Sequence, residues 1–235
     1  MRIFVARDSA WPAMHHAGEA RAAARGEPRG KWPMSTAFLG PDGKPRCRWS
    51  GSAPEFLHYH DTEWGFPVDD DRRLFEKLSL EGFQSGLSWR TILAKRENFR
   101  NAFHNFDFER IARFTQRDVE RLLKDPGIVR HRGKIEAVIN NAKRVREVVE
   151  RDGSLAAFVW RYEPDAKAQG KPQTVSTSAE SIRLSKDLLK QGWKFVGPTT
   201  VYAFMQAMGL VNDHAEDCVI RAKAERARKG FKRPG

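Results

Sequence analysis

Asp125-Pro-Gly-Ile-Val-Arg-His-Arg-Gly-Lys-Ile135 is the stretch whose reading decides the fold. Upstream, Thr115 with Asp118 three residues later reads as a capping box for a short helix ending near Leu123. Downstream, Ile135, Val138, Ile139, Ala142, Val145 and Val149 mark the apolar stripe of a long helix, stopped at Gly153. Pro126-Gly127 breaks the chain between them. The prediction is helix, tight glycine turn, helix. Such a turn and the following helix start offer N–H groups and a positive dipole end to a phosphate. Arg130, His131, Arg132 and Lys134 add charge there, with Gly127 and Gly133 in the same run. A helix-hairpin-helix holds a DNA backbone in this way without reading sequence. An ordinary αα-corner with solvated basic residues has the same spacing, so the stretch alone leaves both readings open.

The helical period continues outward. Asp69 to Asp71 precede a helix in which Leu74, Phe75, Leu78 and Glu81 share one face. Ser178 caps a helix running to Gln191, with Gly192 as its stop. Thr199 opens another, ending at Gly209. The best strand signal is Trp193 to Val196 between two glycines. The expectation is a mainly α fold in one domain, residues 44–218. Residues 1–43 are expected to be a disordered extension, because Gly26, Pro28, Gly30 and Pro33 interrupt their Ala/Arg run.

Net charge is +12 over 235 residues, with pI near 10.0. That balance favours a polyanionic partner. Residues 219–235 hold seven Lys/Arg and one acid, which reads as a solubilising, disordered tail or as a phosphate-contacting one. No apolar run approaches a membrane span, and no basic amphipathic anchor stands out. No signal peptide is evident. Two cysteines do not make a disulfide scaffold, so a reducing cytoplasm of bacterial type is expected.

Three further sets carry chemistry. Cys47 and His60 are separated by twelve residues, and His214 and Cys218 by three. Together they form a Cys2His2 set suited to one tetrahedral Zn2+, with no ligand position left for catalysis. The H-E-x-x-H of metalloproteases and the H-x-E with P-C-x-x-C of zinc deaminases are absent. Trp49, Phe56, Tyr59, Trp64, Phe66, Phe83 and Trp89 crowd into 41 residues. Such rings either fill a core or line a slot where a flat base stacks. Glu81 stands on an apolar helix face, where a carboxylate is costly unless it is paired or hydrogen-bonded. It either turns outward at a fraying end, pairs with a core arginine, or waits in a pocket for a ligand's N–H groups.

Several dense motifs occur in order: Arg46-Cys-Arg-Trp49, His58-Tyr-His-Asp-Thr-Glu-Trp-Gly65, Leu80-Glu-Gly-Phe-Gln-Ser-Gly-Leu-Ser-Trp89, Lys95-Arg-Glu-Asn-Phe99, Gly127-Ile-Val-Arg-His-Arg-Gly-Lys-Ile135, Lys194-Phe-Val-Gly-Pro198 and Gly209-Leu-Val-Asn-Asp-His214. From about Arg46 to Cys218 the chain resembles the type I 3-methyladenine DNA glycosylases. The resemblance implies a helix-hairpin-helix glycosylase fold with a structural zinc on Cys47, His60, His214 and Cys218. It implies a pocket where Glu81 and Tyr59 hydrogen-bond a methylated adenine and Trp89 stacks on it. Trp49, Phe56 and Trp64 would line the walls. The family pattern often has tyrosine where Phe56 stands, which removes a polar contact and keeps the ring face. Leu87 would enter the gap left by a flipped base. The implied enzyme is a monomer acting on double-stranded alkylated DNA, without strand cleavage. Two other classes compete: a non-catalytic DNA-binding module, and a zinc hydrolase, which would need an open coordination position.

Overall fold

Asp70 starts the helix around which the rest is arranged. Its side chain accepts the amide of Arg73 at 2.8 Å, the expected cap for a run that then buries every residue from Lys77 to Phe83. The computed structural model describes residues 37–165 and 170–235. In it two short strands, β1 (Ala37–Leu39) and β2 (Pro45–Cys47), precede eleven α-helices. These are α1 (Pro54–Thr62), α2 (Asp71–Gln84), α3 (Trp89–Ala94), α4 (Arg96–Ala102) and α5 (Phe108–Ile111). There follow α6 (Gln116–Lys124), α7 (Arg132–Asp152), α8 (Leu155–Trp160), α9 (Ala179–Lys190), α10 (Pro198–Ala207) and α11 (Arg221–Gly230). No helix among the described residues is long and apolar enough to cross a membrane.

Helix α2 packs against α7, α8 and α10. Leu74, Phe75, Leu78, Leu80 and Phe83 are all buried on it. Phe83 leads into a stack of rings through Phe99 (4.6 Å between centroids), Phe103 and Phe106. Asp71 reaches sideways and accepts the amides of Leu155 and Ala156, so the first turn of α2 also caps α8. The capping box at Thr115 and the caps at Ser178 and Gly153 form as the sequence predicts. Helix α10 begins one residue earlier than predicted, because Pro198 suits the first helical position. It ends before Gly209, whose φ of +77° lets the backbone turn. A Cβ there would lie 2.5 Å from the carbonyl carbon of Phe66, so only glycine admits this approach.

Three expectations need correction. Trp193 to Val196 is not a strand. Phe195 adopts φ +56°, and both backbone groups of Lys194 bond to the Asn141 side chain at 2.9 Å, so no partner strand can pair there. Trp193 and Val196 bury themselves as a turn instead. The domain also begins before residue 44: β1 pairs antiparallel with β2, Phe38 opposite Arg46, through a turn at Gly40 to Gly43. Residues 1–36 of the expected extension lie outside the described residues. Finally, the basic tail is not a solvated end. Helix α11 buries Ala224 and Arg228, and Glu163 accepts from both Arg228 (2.9 Å) and Arg233 (2.8 Å). Phe231 packs on Trp160 at 4.5 Å. Composition hid this helix, because its apolar contacts are few and spaced among the seven cations of residues 219–235.

A chain ending at Ile220 is therefore expected to melt several degrees lower than the full chain, by about 4 °C or more. Coincident melting curves would show that α11 adds nothing to stability.

Candidate active site and metal centre

The four predicted metal-ligating side chains meet. Cys47 arrives at the end of β2, His60 on the last turn of α1, and His214 and Cys218 on the loop after α10. All are buried, and their ligand atoms lie within 4.8 Å of one another. Cys47 Sγ to His214 Nδ1 is 3.6 Å, Cys218 Sγ to His60 Nε2 is 3.6 Å, and Cys218 Sγ to His214 Nδ1 is 3.7 Å. His214 Nδ1 to His60 Nε2 is 3.2 Å. A tetrahedron with metal–sulfur bonds of about 2.3 Å and metal–nitrogen bonds of about 2.05 Å has edges of about 3.6 Å (S–N) and 3.3 Å (N–N). These four distances match those edges, so the cluster can hold one metal ion.

The other ring nitrogens are also engaged. His60 Nδ1 lies 2.7 Å from Asp61, and His214 Nε2 lies 3.1 Å from the carbonyl of Trp64. Asp61 is in turn held by Arg46, which also pairs with Asp42 in the β1–β2 turn. The amide of Ala215 donates to Cys47 Sγ. The neighbouring Cys47 lowers the Cys218 thiol below the usual cysteine value, while Cys218 and burial push Cys47 up.

The aromatic slot is built directly on this cluster. Trp64 stacks on His60 (18° between planes) and meets His214 edge-on at 4.7 Å. Trp49, half-buried, touches His60, Trp64, Phe56 and Tyr59. Tyr59 and Trp89 face each other at 5.4 Å. Glu81 does not turn outward: α2 continues past it, and the carboxylate is 6% exposed. Nor does it pair with an arginine. Its partner is Lys77, one turn earlier, at 2.6 Å. The same ammonium donates to Tyr59 Oη at 2.8 Å and lies 3.4 Å from the centroid of Trp89. Sequence reading gave Lys77 no role, although its i, i+4 spacing to Glu81 was the available signal. Burial pulls the Lys77 ammonium below the usual lysine value against the pull of Glu81. Burial, then the charge on Glu81, pushes the Tyr59 phenol well above its ordinary value. Tyr59 is therefore a neutral hydroxyl at physiological pH.

Around the slot lie the predicted DNA contacts. Leu87 is 42% exposed on a turn where Gly86 takes φ +80°, the posture of a side chain able to enter a gap. Arg130 and His131, on the turn between α6 and α7, and Arg132, the first residue of α7, are exposed. His131 caps α7 by accepting the amide of Lys134, and Arg132 pairs with Glu120. Arg132 and Gly133 supply amides in the first turn of α7, which have no intrahelical acceptor. Two expectations fail here. Lys134 is buried, and its ammonium donates to the carbonyls of Phe83 and Ser85, so it closes the end of α2 instead of meeting phosphate. The Gly127 amide is already given to Asp125 at 2.7 Å, and Lys95 holds the carbonyls of Pro126 and Gly127.

The methyladenine glycosylase family model matches residues 49–222. The chain belongs to this family. It is 47% identical to DNA-3-methyladenine glycosylase 1 of Escherichia coli (strain K12), over 74% of this chain and 95% of that protein. A crystal structure of a 3-methyladenine DNA glycosylase I, 47% identical, superposes with a TM-score of 0.69, covering 74% of this chain and 98% of that one. A second, in complex with 3-methyladenine, is 38% identical with a TM-score of 0.67, covering 72% and 94%.

Asp61 is the carboxylate against His60, one of the four side chains that could hold the metal. Asp61→Ala is expected to weaken metal retention about 10–100-fold in a chelator competition. Unchanged retention would leave Asp61 as the partner of Arg46 only.

Proposed function

We propose that this chain excises 3-methyladenine from alkylated double-stranded DNA by hydrolysing the N-glycosidic bond, as a monofunctional glycosylase. One observation carries the reading: a buried carboxylate, Glu81, shares a site with a neutral Tyr59 hydroxyl and the face of Trp89. Hydrogen-bond acceptors beside a π face suit a flat, cationic base that donates N–H groups. The family of the chain and the 3-methyladenine bound by a structural relative support it.

The chemistry follows from the substrate. Methylation at N3 leaves the base positively charged and the glycosidic bond weak, so no strong acid is needed to drive the base out. Flipping costs a few kcal/mol, less for a damaged and poorly stacked base. Leu87 takes the vacated gap, while Arg130, Arg132 and the first amides of α7 hold phosphate. Glu81 accepts from the base and balances its charge, Tyr59 fixes its orientation, and Trp89 stacks on it. Trp49, Phe56 and Trp64 exclude water. Water then adds at the anomeric carbon. A DNA-binding module alone would have no use for the Glu81 site.

The cluster of Cys47, His60, His214 and Cys218 is proposed to hold one structural Zn2+. When bound, the ion supplies a cross-link, not a Lewis acid, because four protein ligands complete its shell. It would tie the first strand pair to the last loop and fix the wall formed by Trp49 and Trp64. Two buried free thiols suit a reducing compartment.

Base release from alkylated duplex DNA, with freed bases separated by chromatography, tests the proposal. Wild type is expected to release 3-methyladenine and leave 7-methylguanine in place. Trp89→Ala should lose about 1–3 kcal/mol of stacking, roughly fivefold to 150-fold in rate. Glu81→Ala should also be impaired. No release by folded, metal-loaded wild type would reduce the chain to a DNA-binding module.

A further inference from the structure

Lys77 occupies the place that the methylated base needs. Its ammonium contacts Glu81 (2.6 Å), Tyr59 Oη (2.8 Å) and the Trp89 face (3.4 Å), and the residue is 6% exposed. These are the three groups assigned above to the base. An ammonium and a cationic purine cannot hold them together. We infer that Lys77 is an internal competitor for the base subsite: its ammonium fills the subsite when it is empty, withdraws as the base enters, and reclaims Glu81 once the glycosidic bond is broken. This rests on the glycosylase reading.

Charge decides the order of events. While joined to deoxyribose, the N3-methylated base carries one positive charge, so it replaces the ammonium on Glu81 charge for charge. On cleavage the bonding pair goes to the base nitrogen, and the freed base is neutral. Water supplies hydroxyl to the anomeric carbon and releases its proton to solvent. The neutral product no longer balances Glu81. A buried carboxylate left without a cation is costly, and Lys77 is tethered one turn away. The reaction's own loss of charge thus favours return of the lysine and departure of the product.

Room for the withdrawn ammonium group exists. A cavity of about 30 Å³ adjoins Lys77, Tyr59 and Trp89, space for about one water-sized group and far less than a purine. Its other walls include Glu63 and Glu76, paired with Arg96 and Arg100 respectively.

The test is the affinity for free 3-methyladenine, read by tryptophan fluorescence, in wild type and Lys77→Met. The neutral base is expected to bind the variant about tenfold more tightly. Multiple-turnover release from alkylated duplex should then fall relative to the single-turnover rate, because product leaves more slowly. Unchanged affinity would make Lys77 a structural partner of Glu81, and weaker affinity would make it a supporting contact to the base. Either overturns the inference. Lys77→Gln should shift affinity in the same direction, which guards against a misfolded methionine variant. A crystal structure of wild type with 3-methyladenine gives a check free of mutation: Lys77 Nζ still bridging Glu81 and Tyr59 beside a bound base would also overturn it. Absence of any base release by wild type would instead sink the glycosylase reading, whereas the failures above leave that reading standing.

Discussion

The junction of Cys47, His60, His214 and Cys218 is the constraint on which the pocket depends. It joins positions separated by 171 residues at most, and it gathers β2, the end of α1 and the loop after α10 at one point, beside the Arg46–Asp61 pair and the bond from the Val219 amide to the Pro45 carbonyl. The rings follow from it. Trp64 is stacked on one ligand and edged against the other, and Trp49 is packed on both Trp64 and Tyr59. The wall of the aromatic slot is thus the outer face of the Cys2His2 cluster. Arg46 extends the same logic outward, since it orients Asp61 on His60 while holding the turn between β1 and β2. A closed, four-ligand cluster can do this without entering the chemistry, which separates what holds the site from what works in it.

Much of this was legible because the signals are local or rare. Caps depend on a few neighbouring residues, so Thr115, Ser178 and Gly153 announce their helices. Cysteines are so few that two half-sites stand out. What escaped reading depends on tertiary context. Nothing in Lys194-Phe-Val says that Phe195 takes a left-handed backbone, because the cause is the Asn141 side chain from a different helix. Basic residues mislead for a related reason. Lys134 sits in a run of cations beside exposed Arg130 and Arg132, yet the end of α2 turns its carbonyls towards it and consumes its charge. The C-terminal cations hid Ala224 and Phe231 in the same way. Charge counts identify a class of partner; they do not say which cation faces it.

Glu81 shows the opposite case, in which a single misplaced residue type was informative but incomplete. Its place on an apolar face meant that some group had to satisfy it. The sequence offered a fraying end, an arginine or a ligand, and the structure supplies a lysine from its own helix. Pairing at i, i+4 on an exposed helix face is worth only a few tenths of a kcal/mol. Here both partners are buried, so removing either leaves a charge without its counterpart, which is far costlier. The pocket therefore rests in a satisfied state when no base is present.

That satisfied resting state bears on how a glycosylase can bind a product-like base without being trapped by it. A site shaped only for tight binding would favour the departing base as much as the attached one, and uniform binding does not raise turnover. Glu81 distinguishes the two by charge, since the attached base is cationic and the freed base is neutral. The distinction is sharpened when the alternative occupant of the site is itself a cation on a short tether. Bond cleavage changes the charge of the base and not that of the lysine, so the balance between lysine and base tips with that one quantity. The same helix that buries the carboxylate thereby carries the group that replaces the base on it, one turn away at no cost in extra structure.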